Sequence, residues 1–167
     1  VQKDGNILVS FRQLDLIILV NRQTNQIDWE MSDRSWGGQH DCQQLENGNI
    51  IVFANGSEQY TPEHSRILEI NPDSKEVVWQ YTGQPKITFF SPRISGLCRL
   101  ANGNTFIVEG NHGRLFEVTK SGEICWEYIS PFFNDVPVHG TVNWVFRARK
   151  YSKGDTKLNN LLANLRT

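Results

Sequence analysis

The feature that most constrains the fold is a pattern that occurs three times along the chain. A tight-turn dipeptide is followed by a run of β-forming residues and later by a second such run that contains a tryptophan. The dipeptides are Asp4-Gly5, Asn47-Gly48 and Asn102-Gly103. The tryptophans are Trp29, Trp79 and Trp126. Asp-Gly and Asn-Gly favour hairpin turns because the centre of the turn needs positive φ. Repeats of about 50 residues made of strands are typical of β-propeller blades.

A further apolar run lies between the turn and the tryptophan in each unit: Leu16–Val20, Ile67–Ile70 and Leu115–Val118. The first run is continuously apolar, as a strand buried on both faces can be, whereas the other two are interrupted by a glutamate. We therefore predict an all-β protein of β-propeller-type, four-stranded antiparallel blades. Each blade runs from an inner strand through the Asn-Gly turn, a second strand, a loop and a third strand to the outer tryptophan strand.

The repeats divide the chain into about three full blades and a partial one. The predicted bounds are 1–35, 36–88 and 89–132 for the blades, 133–152 for the partial blade and 153–167 for a C-terminal tail. The partial blade is predicted to end in a strand over Val145–Arg149. A short helix is predicted over Lys157–Arg166, with one face formed by Leu158, Leu161, Leu162 and Leu165. The three tryptophans are expected to pack between adjacent blades rather than to bind a ligand.

Composition excludes several classes of protein. The formal net charge of −1 argues against nucleic acid or an anionic membrane as partner, because such partners select a basic excess. Three widely spaced cysteines lack the pairing of a zinc or redox motif, so we predict no metal and no cofactor. The start carries no signal-peptide pattern and resembles the inside of a domain, so we expect further chain upstream. Asn55-Gly56-Ser57 fits a glycosylation acceptor and equally a turn.

Several stretches carry a resemblance to a known family. They are Gly37–Asp41, Leu45–Ile50, Phe53–Gly56, Leu100–Thr105, Gly113–Val118 and Asn143–Ala148. Over most of residues 1–152 the sequence resembles the arylsulfotransferase family. The resemblance implies a six-bladed propeller, periplasmic or extracellular, that moves a sulfuryl group from one phenol to another through a transient sulfohistidine. The expected partners are small aryl sulfates and phenols, and the nucleotide sulfate donor is not used.

The resemblance also implies candidate catalytic residues. His40 matches a family active-site histidine that follows a glutamine, and His112 falls near the nucleophilic histidine. Arg147 matches an arginine of the closing strand. The family arginine after the Asn-Gly turn has no counterpart, because 57–59 reads Ser-Glu-Gln, so Arg66 is predicted to substitute. Apart from the family resemblance, the residues themselves suggest that Asp41 orients His40, because carboxylates commonly orient imidazoles.

Two functions of different kinds stay open from the residues alone. One is a sulfotransferase-like enzyme, and the other is a non-catalytic propeller that serves as a scaffold or binds a ligand. A quinone-cofactor propeller would share the tryptophan repeat, but no residue specifically favours it. Three blades and a remnant cannot close the usual ring of four to eight. We therefore expect either additional chain or self-association to complete the propeller.

Overall fold

Strands make up almost all of the computed structural model, which describes residues 5–59, 61–152 and 155–164. The first sheet contains β1 (Ile7–Phe11), β2 (Leu16–Val20) and β3 (Ile27–Ser32). The second contains β4 (His40–Gln44), β5 (Ile50–Ala54), β6 (Arg66–Ile70) and β7 (Val77–Tyr81). The third contains β8 (Ser95–Arg99), β9 (Thr105–Glu109), β10 (Arg114–Val118) and β11 (Ile124–Ile129). A hairpin follows, formed by β12 (Asn134–Val136) and β13 (Gly140–Val142).

Each strand pairs antiparallel with its neighbour along the chain, so every sheet is a simple meander. This arrangement confirms the predicted β-propeller-type blades. In the first sheet β1 follows the Asp-Gly turn, and it therefore corresponds to β5 and β9 rather than to β4 and β8. The turn glycines Gly48 and Gly103 adopt φ of 88° and 86°, which side chains other than glycine rarely tolerate.

Two apolar cores lie between successive sheets, and the middle sheet contributes to both. Successive residues of β5 point to opposite faces of the sheet. Ile51 and Phe53 therefore enter the core shared with the third sheet, where Phe53 meets Phe89 with ring centroids 5.3 Å apart. Val52 and Ala54 enter the core shared with the first sheet. All five residues of β5 are buried, so this strand holds the three sheets together.

The outer tryptophans join each sheet to the next. The indole N–H of Trp29 donates to the carbonyl of Pro72, and that of Trp79 donates to the carbonyl of Lys120, both at 2.8 Å. Each acceptor lies in the turn between the third and fourth strands of the following sheet. This confirms the packing role predicted for Trp29 and Trp79. Trp126, in the last sheet, is 43% exposed, and every residue of its strand β11 is exposed.

A carboxylate–cation contact accompanies the last two of these tryptophans. Glu69 binds Arg99 at 2.7 Å, and the Arg99 guanidinium lies 4.7 Å from the centroid of Trp79. Glu117 binds Lys150, whose ammonium lies 5.7 Å from Trp126. Arg99 belongs to β8, the inner strand of the sheet that follows the one containing Glu69. Lys150 makes the equivalent contact with Glu117, so it holds the position that the inner strand of a fourth blade would occupy.

The C-terminal part differs from the sequence-based expectation. Residues 145–149 do not form a strand, and so that prediction is wrong; the structure instead forms the hairpin β12–β13 earlier in the segment. The helix α1 spans Thr156–Asn164. Leu162 is 43% exposed, while the side chains of Leu161 and Leu165 lie outside the described residues. In the described part, no helix is both long and apolar enough to cross a membrane.

Candidate active site

The sheets have two chemically different ends. At one end lie the Asn-Gly turns, and we call it the turn end. At the other end, β4 and β8 begin and the loops after β1, β5 and β9 lie together; His40 is the first residue of β4, so we call it the histidine end. Contacts between sheets confirm the grouping, since Ser57 after β5 donates to the carbonyl of Pro92 before β8 at 2.8 Å.

His40 is held by an asparagine of the neighbouring strand. Its Nδ1 lies 2.8 Å from Oδ1 of Asn55, and the imidazole is half-buried. The expectation that Asp41 orients His40 is wrong. A bulge after His40 places Asp41 at φ 48°, and its carboxylate accepts from the backbone N–H of Leu97 at 2.9 Å and from Gln43 at 3.1 Å. Asp41 therefore ties β4 to β8.

A chain of hydrogen bonds runs from His40 to the loop that carries His112. Asn55 donates to the carbonyl of Ser91 at 2.6 Å. The hydroxyl of Ser91 lies 3.1 Å from Oδ1 of Asn111, and it also accepts from the Asn111 backbone N–H at 3.0 Å. His112 follows Asn111 directly. The network thus starts at the imidazole of His40, crosses from the second sheet to the third and ends at the residue before His112.

The loop of His112 is fixed from the other side by the segment after β13. His112 ends a 3₁₀ turn, Gly110–His112, and its side chain is exposed. A Cβ on Gly110 would lie 2.4 Å from the carbonyl oxygen of Val145, and one on Gly113 would lie 2.4 Å from that of Asn143. Asn143 also donates to the His112 carbonyl at 3.0 Å. Close backbone contact therefore holds the loop while leaving the imidazole open to solvent.

The two predicted arginines lie in different surroundings. Arg66 donates to the carbonyl of Ser35 at 2.8 Å and to its hydroxyl at 3.0 Å, which ties β6 to the loop before β4. Arg147 is exposed and lines a cavity of about 490 Å³ together with Asp41 and Leu97. Arg147 therefore lies beside the two inner strands β4 and β8, near the bulge that follows His40.

Sequence reasoning did not place Arg12 at the histidine end, where the structure shows it. The Arg12 guanidinium packs against Gly38, two residues before His40: its central carbon lies 3.1 Å from where a Cβ on Gly38 would be. The guanidinium also donates to the carbonyl of Pro92 at 3.4 Å. Arg12 follows its turn glycine at the same interval as Asn55 follows Gly48. Aligning the repeats position by position would therefore have placed both residues at the histidine end.

Burial makes the cysteines of the two inner strands β4 and β8 poor nucleophiles. Desolvation, assisted by the nearby charge of Asp41, raises the pKa of the Cys42 thiol to about 11. Desolvation also raises the pKa of Cys98. Both thiols are protonated near pH 7 and are therefore poor nucleophiles. Within the described ranges, no three His, Cys, Asp or Glu side chains are grouped so that they could hold a metal ion.

Solved structures with a similar fold are β-propeller-like proteins. A protein of unknown function from Bacteroides caccae is 19% identical, with a TM-score of 0.55 over 76% of this chain and 43% of that one. Virginiamycin B lyase from Staphylococcus aureus is 18% identical, with a TM-score of 0.54 over 78% of this chain and 40% of the lyase. A streptogramin B lyase structure is 19% identical, with a TM-score of 0.56 over 78% and 39%. The chain thus spans about two fifths of the length of these proteins, and at these identities the likeness shows the fold alone.

A comparison with curated proteins gave no match. The family comparison did give one: the model described as "Arylsulfotransferase (ASST)" matches residues 1–131. The matched residues include the bulged strand of His40, its partner Asn55 and the loop of His112, which together form the histidine end. The chain therefore belongs to the arylsulfotransferase (ASST) family.

Proposed function

We propose that this protein transfers a sulfuryl group from an aryl sulfate to a phenol through a transient sulfohistidine, as part of an arylsulfotransferase-type propeller. The observation that carries the proposal is the hydrogen-bonded chain from His40 through Asn55 and Ser91 to Asn111, beside His112. The network holds the imidazole of His40 and ends at the residue before His112, whose exposed imidazole belongs to the same end of the sheets; one proton carrier and one nucleophile of this kind are what the reaction needs.

The reaction uses one nitrogen nucleophile and one proton carrier. A neutral imidazole is nucleophilic near pH 7, and in this proposal His112, which is exposed, attacks the sulfur of the aryl sulfate. A nitrogen–sulfur bond forms while the bond from sulfur to the phenolic oxygen breaks. The departing phenolate takes a proton from Nε2 of His40, which enters this step as the imidazolium and leaves it neutral. The acceptor phenol then returns that proton to His40, and its oxygen attacks the sulfur and releases the imidazole of His112.

The sulfuryl oxygens carry negative charge, so a positive group beside them lowers the barrier. Arg12 reaches towards His40 from the first sheet, and we place it first in this role. Arg147 lies in the cavity beside Asp41 and is a second candidate. Arg66 is a third, although its contacts to Ser35 favour a structural role.

A further β-sheet is expected to cover the third one, and we infer this from the tryptophan contacts. Trp29 and Trp79 each donate to the turn of a following sheet, whereas Trp126 presents an exposed face with Tyr128. That sheet comes either from additional chain or from a second copy, as expected for a ring of six blades. The molar mass in solution separates these sources, because a second copy doubles it.

Members of this family are commonly secreted or periplasmic, and we propose the same location here.

The catalytic proposal is tested with 4-nitrophenyl sulfate as donor and a phenol as acceptor. We expect 4-nitrophenol release that depends on the acceptor, and an acid-labile sulfuryl adduct on His112 when the donor is given alone. His112→Ala should abolish the adduct, and His40→Gln should slow its formation. His139→Ala is the matched control, since His139 is exposed and its ring contacts that of Trp144, with centroids 4.9 Å apart. Folded protein that forms no adduct and no product would overturn the proposal and favour a non-catalytic propeller.

A further inference from the structure

Asn55 is buried where its sequence context suggested a turn or a glycosylation acceptor. It is the first residue after β5, its side chain is 0% exposed, and a glycan could not be attached there. A buried primary amide must have its polar atoms paired, because each unpaired one costs roughly 1–3 kcal/mol. The partners of Asn55 therefore decide which way its carboxamide points.

The orientation of the carboxamide follows from an acceptor that cannot donate. Asn55 lies 2.6 Å from the carbonyl oxygen of Ser91, so the group facing that oxygen must be the NH₂. The same NH₂ donates to the hydroxyl of Ser95 at 3.1 Å. The carboxamide oxygen is consequently the atom that faces Nδ1 of His40, at 2.8 Å.

The backbone of Asn55 is held as firmly as its side chain. The hydroxyl of Ser65 donates to the Asn55 carbonyl at 2.8 Å, and it accepts the backbone N–H of Ser91 at 3.0 Å. Ser65 and Ser91 are both fully buried. A rotated carboxamide would set two oxygens against each other at Ser91, and therefore the orientation is locked by the contact between the second and third sheets.

We propose that Asn55 is a positioning residue that holds neutral His40 in the tautomer with hydrogen on Nδ1. An acceptor facing Nδ1 requires that nitrogen to carry the hydrogen, and the lone pair then lies on Nε2. Nε2 becomes the nitrogen that exchanges a proton with substrate. This inference rests on the proposed function only for the use made of Nε2, since the tautomer itself is set by Asn55.

The tautomer is measured directly by long-range ¹H–¹⁵N correlation spectra of the histidine-labelled chain, with His40 assigned by its loss in His40→Gln. We expect the pattern of an Nδ1-protonated ring at a pH where His40 is neutral. Asn55→Ala removes the acceptor and should populate the Nε2-protonated form, with a fall in kcat/KM of about tenfold or more.

Ser95→Ala is the matched control, because it removes a buried hydrogen bond of Asn55 without touching His40. It should leave the tautomer unchanged. An Nε2-protonated His40 in the wild-type chain would overturn the proposal without any variant, and so would a tautomer that Asn55→Ala does not alter. The proposed function fails separately: if the tautomer follows Asn55 while the wild-type chain transfers no sulfuryl group, the positioning role stands and the reaction does not.

Discussion

The contact between Glu69 and Arg99 joins the second and third sheets, and its removal should destabilise the protein measurably. The Glu69 carboxylate accepts from Arg99 at 2.7 Å and from Asn49 at 2.8 Å. Arg99 also donates to the carbonyl of Gly103 at 3.0 Å and stacks on Trp79. The side chains of the pair are only 17% and 12% exposed. Glu69→Gln keeps the shape of the side chain but leaves the Arg99 charge without its counter-charge.

Two limits set the expected size of this effect. Exposed ion pairs contribute about 0.2–1 kcal/mol, whereas breaking a fully buried pair costs about 3–5 kcal/mol. Arg99 keeps some water and its contact with Gly103, so we expect Glu69→Gln to lower the free energy of unfolding by about 2 kcal/mol, between those limits. Glu117→Gln is the comparison, because its partner Lys150 is 40% exposed. There we expect a loss of about 1 kcal/mol or less.

The assay is equilibrium unfolding in urea followed by far-UV circular dichroism, with Arg99→Met completing a double-mutant cycle. We expect a coupling energy between Glu69 and Arg99 of about 1–2 kcal/mol and an unchanged dependence on urea concentration. The reasoning is refuted if the coupling is near zero, or if Glu69→Gln and Glu117→Gln cost the same. Either result would mean that burial of the pair does not determine its contribution.

Three further outcomes follow from the same geometry. Trp79→Phe should cost about 1–2 kcal/mol of unfolding free energy through its lost indole hydrogen bond, and Trp126→Phe much less; equal losses in urea unfolding would contradict this. Burial opposes ionisation of Glu117, but hydrogen bonds led by that of Lys150 lower its pKa below the ordinary 4.5. The stability that ionised Glu117 contributes is therefore complete above pH 4.5 and is lost as pH falls through the lowered pKa. Glu117→Gln should thus make the urea midpoint fall less on acidification than in the wild-type chain. An equal fall in both proteins would exclude this linkage. Near neutral pH, exposed Cys125 should react with a thiol reagent well before Cys42, whose pKa is about 11, and equal labelling rates would contradict the burial of Cys42.

The sequence predicted the strands well because their determinants are local. Asn-Gly turns and β-forming runs depend on neighbours a few residues away, and the apolar run Leu16–Val20 coincides with β2. The tryptophan packing was predictable since the motif repeats. The strand predicted over 145–149 failed for a physical reason: a strand needs a paired neighbour, and in the described residues the backbone N–H of Val145 instead donates to Gly110.

The site was less predictable because its contacts are non-local. Asp41 follows His40 in sequence and looked like its partner, but a bulge turns the carboxylate towards Leu97. The actual partner, Asn55, reads locally as a turn residue. Its role appears only when Ser91, 36 residues further on, fixes the carboxamide. Bulges and contacts between sheets carry little local sequence pattern, so reasoning from neighbours could not find them.

Comparison of the repeats distinguishes the residues that stabilise the fold from those that we propose to act on substrate. At the turn end the second and third sheets use the same groups: asparagines that donate to a glutamate, and a tryptophan whose ring contacts a cation. At the histidine end, equivalent positions after β1, β5 and β9 hold Arg12, Asn55 and Gly110. Packing between blades must be solved at every interface, so its residues recur, whereas a reaction centre is needed once. Divergence among the repeats therefore favours the histidine end as the proposed functional one, by an argument that does not use the family resemblance.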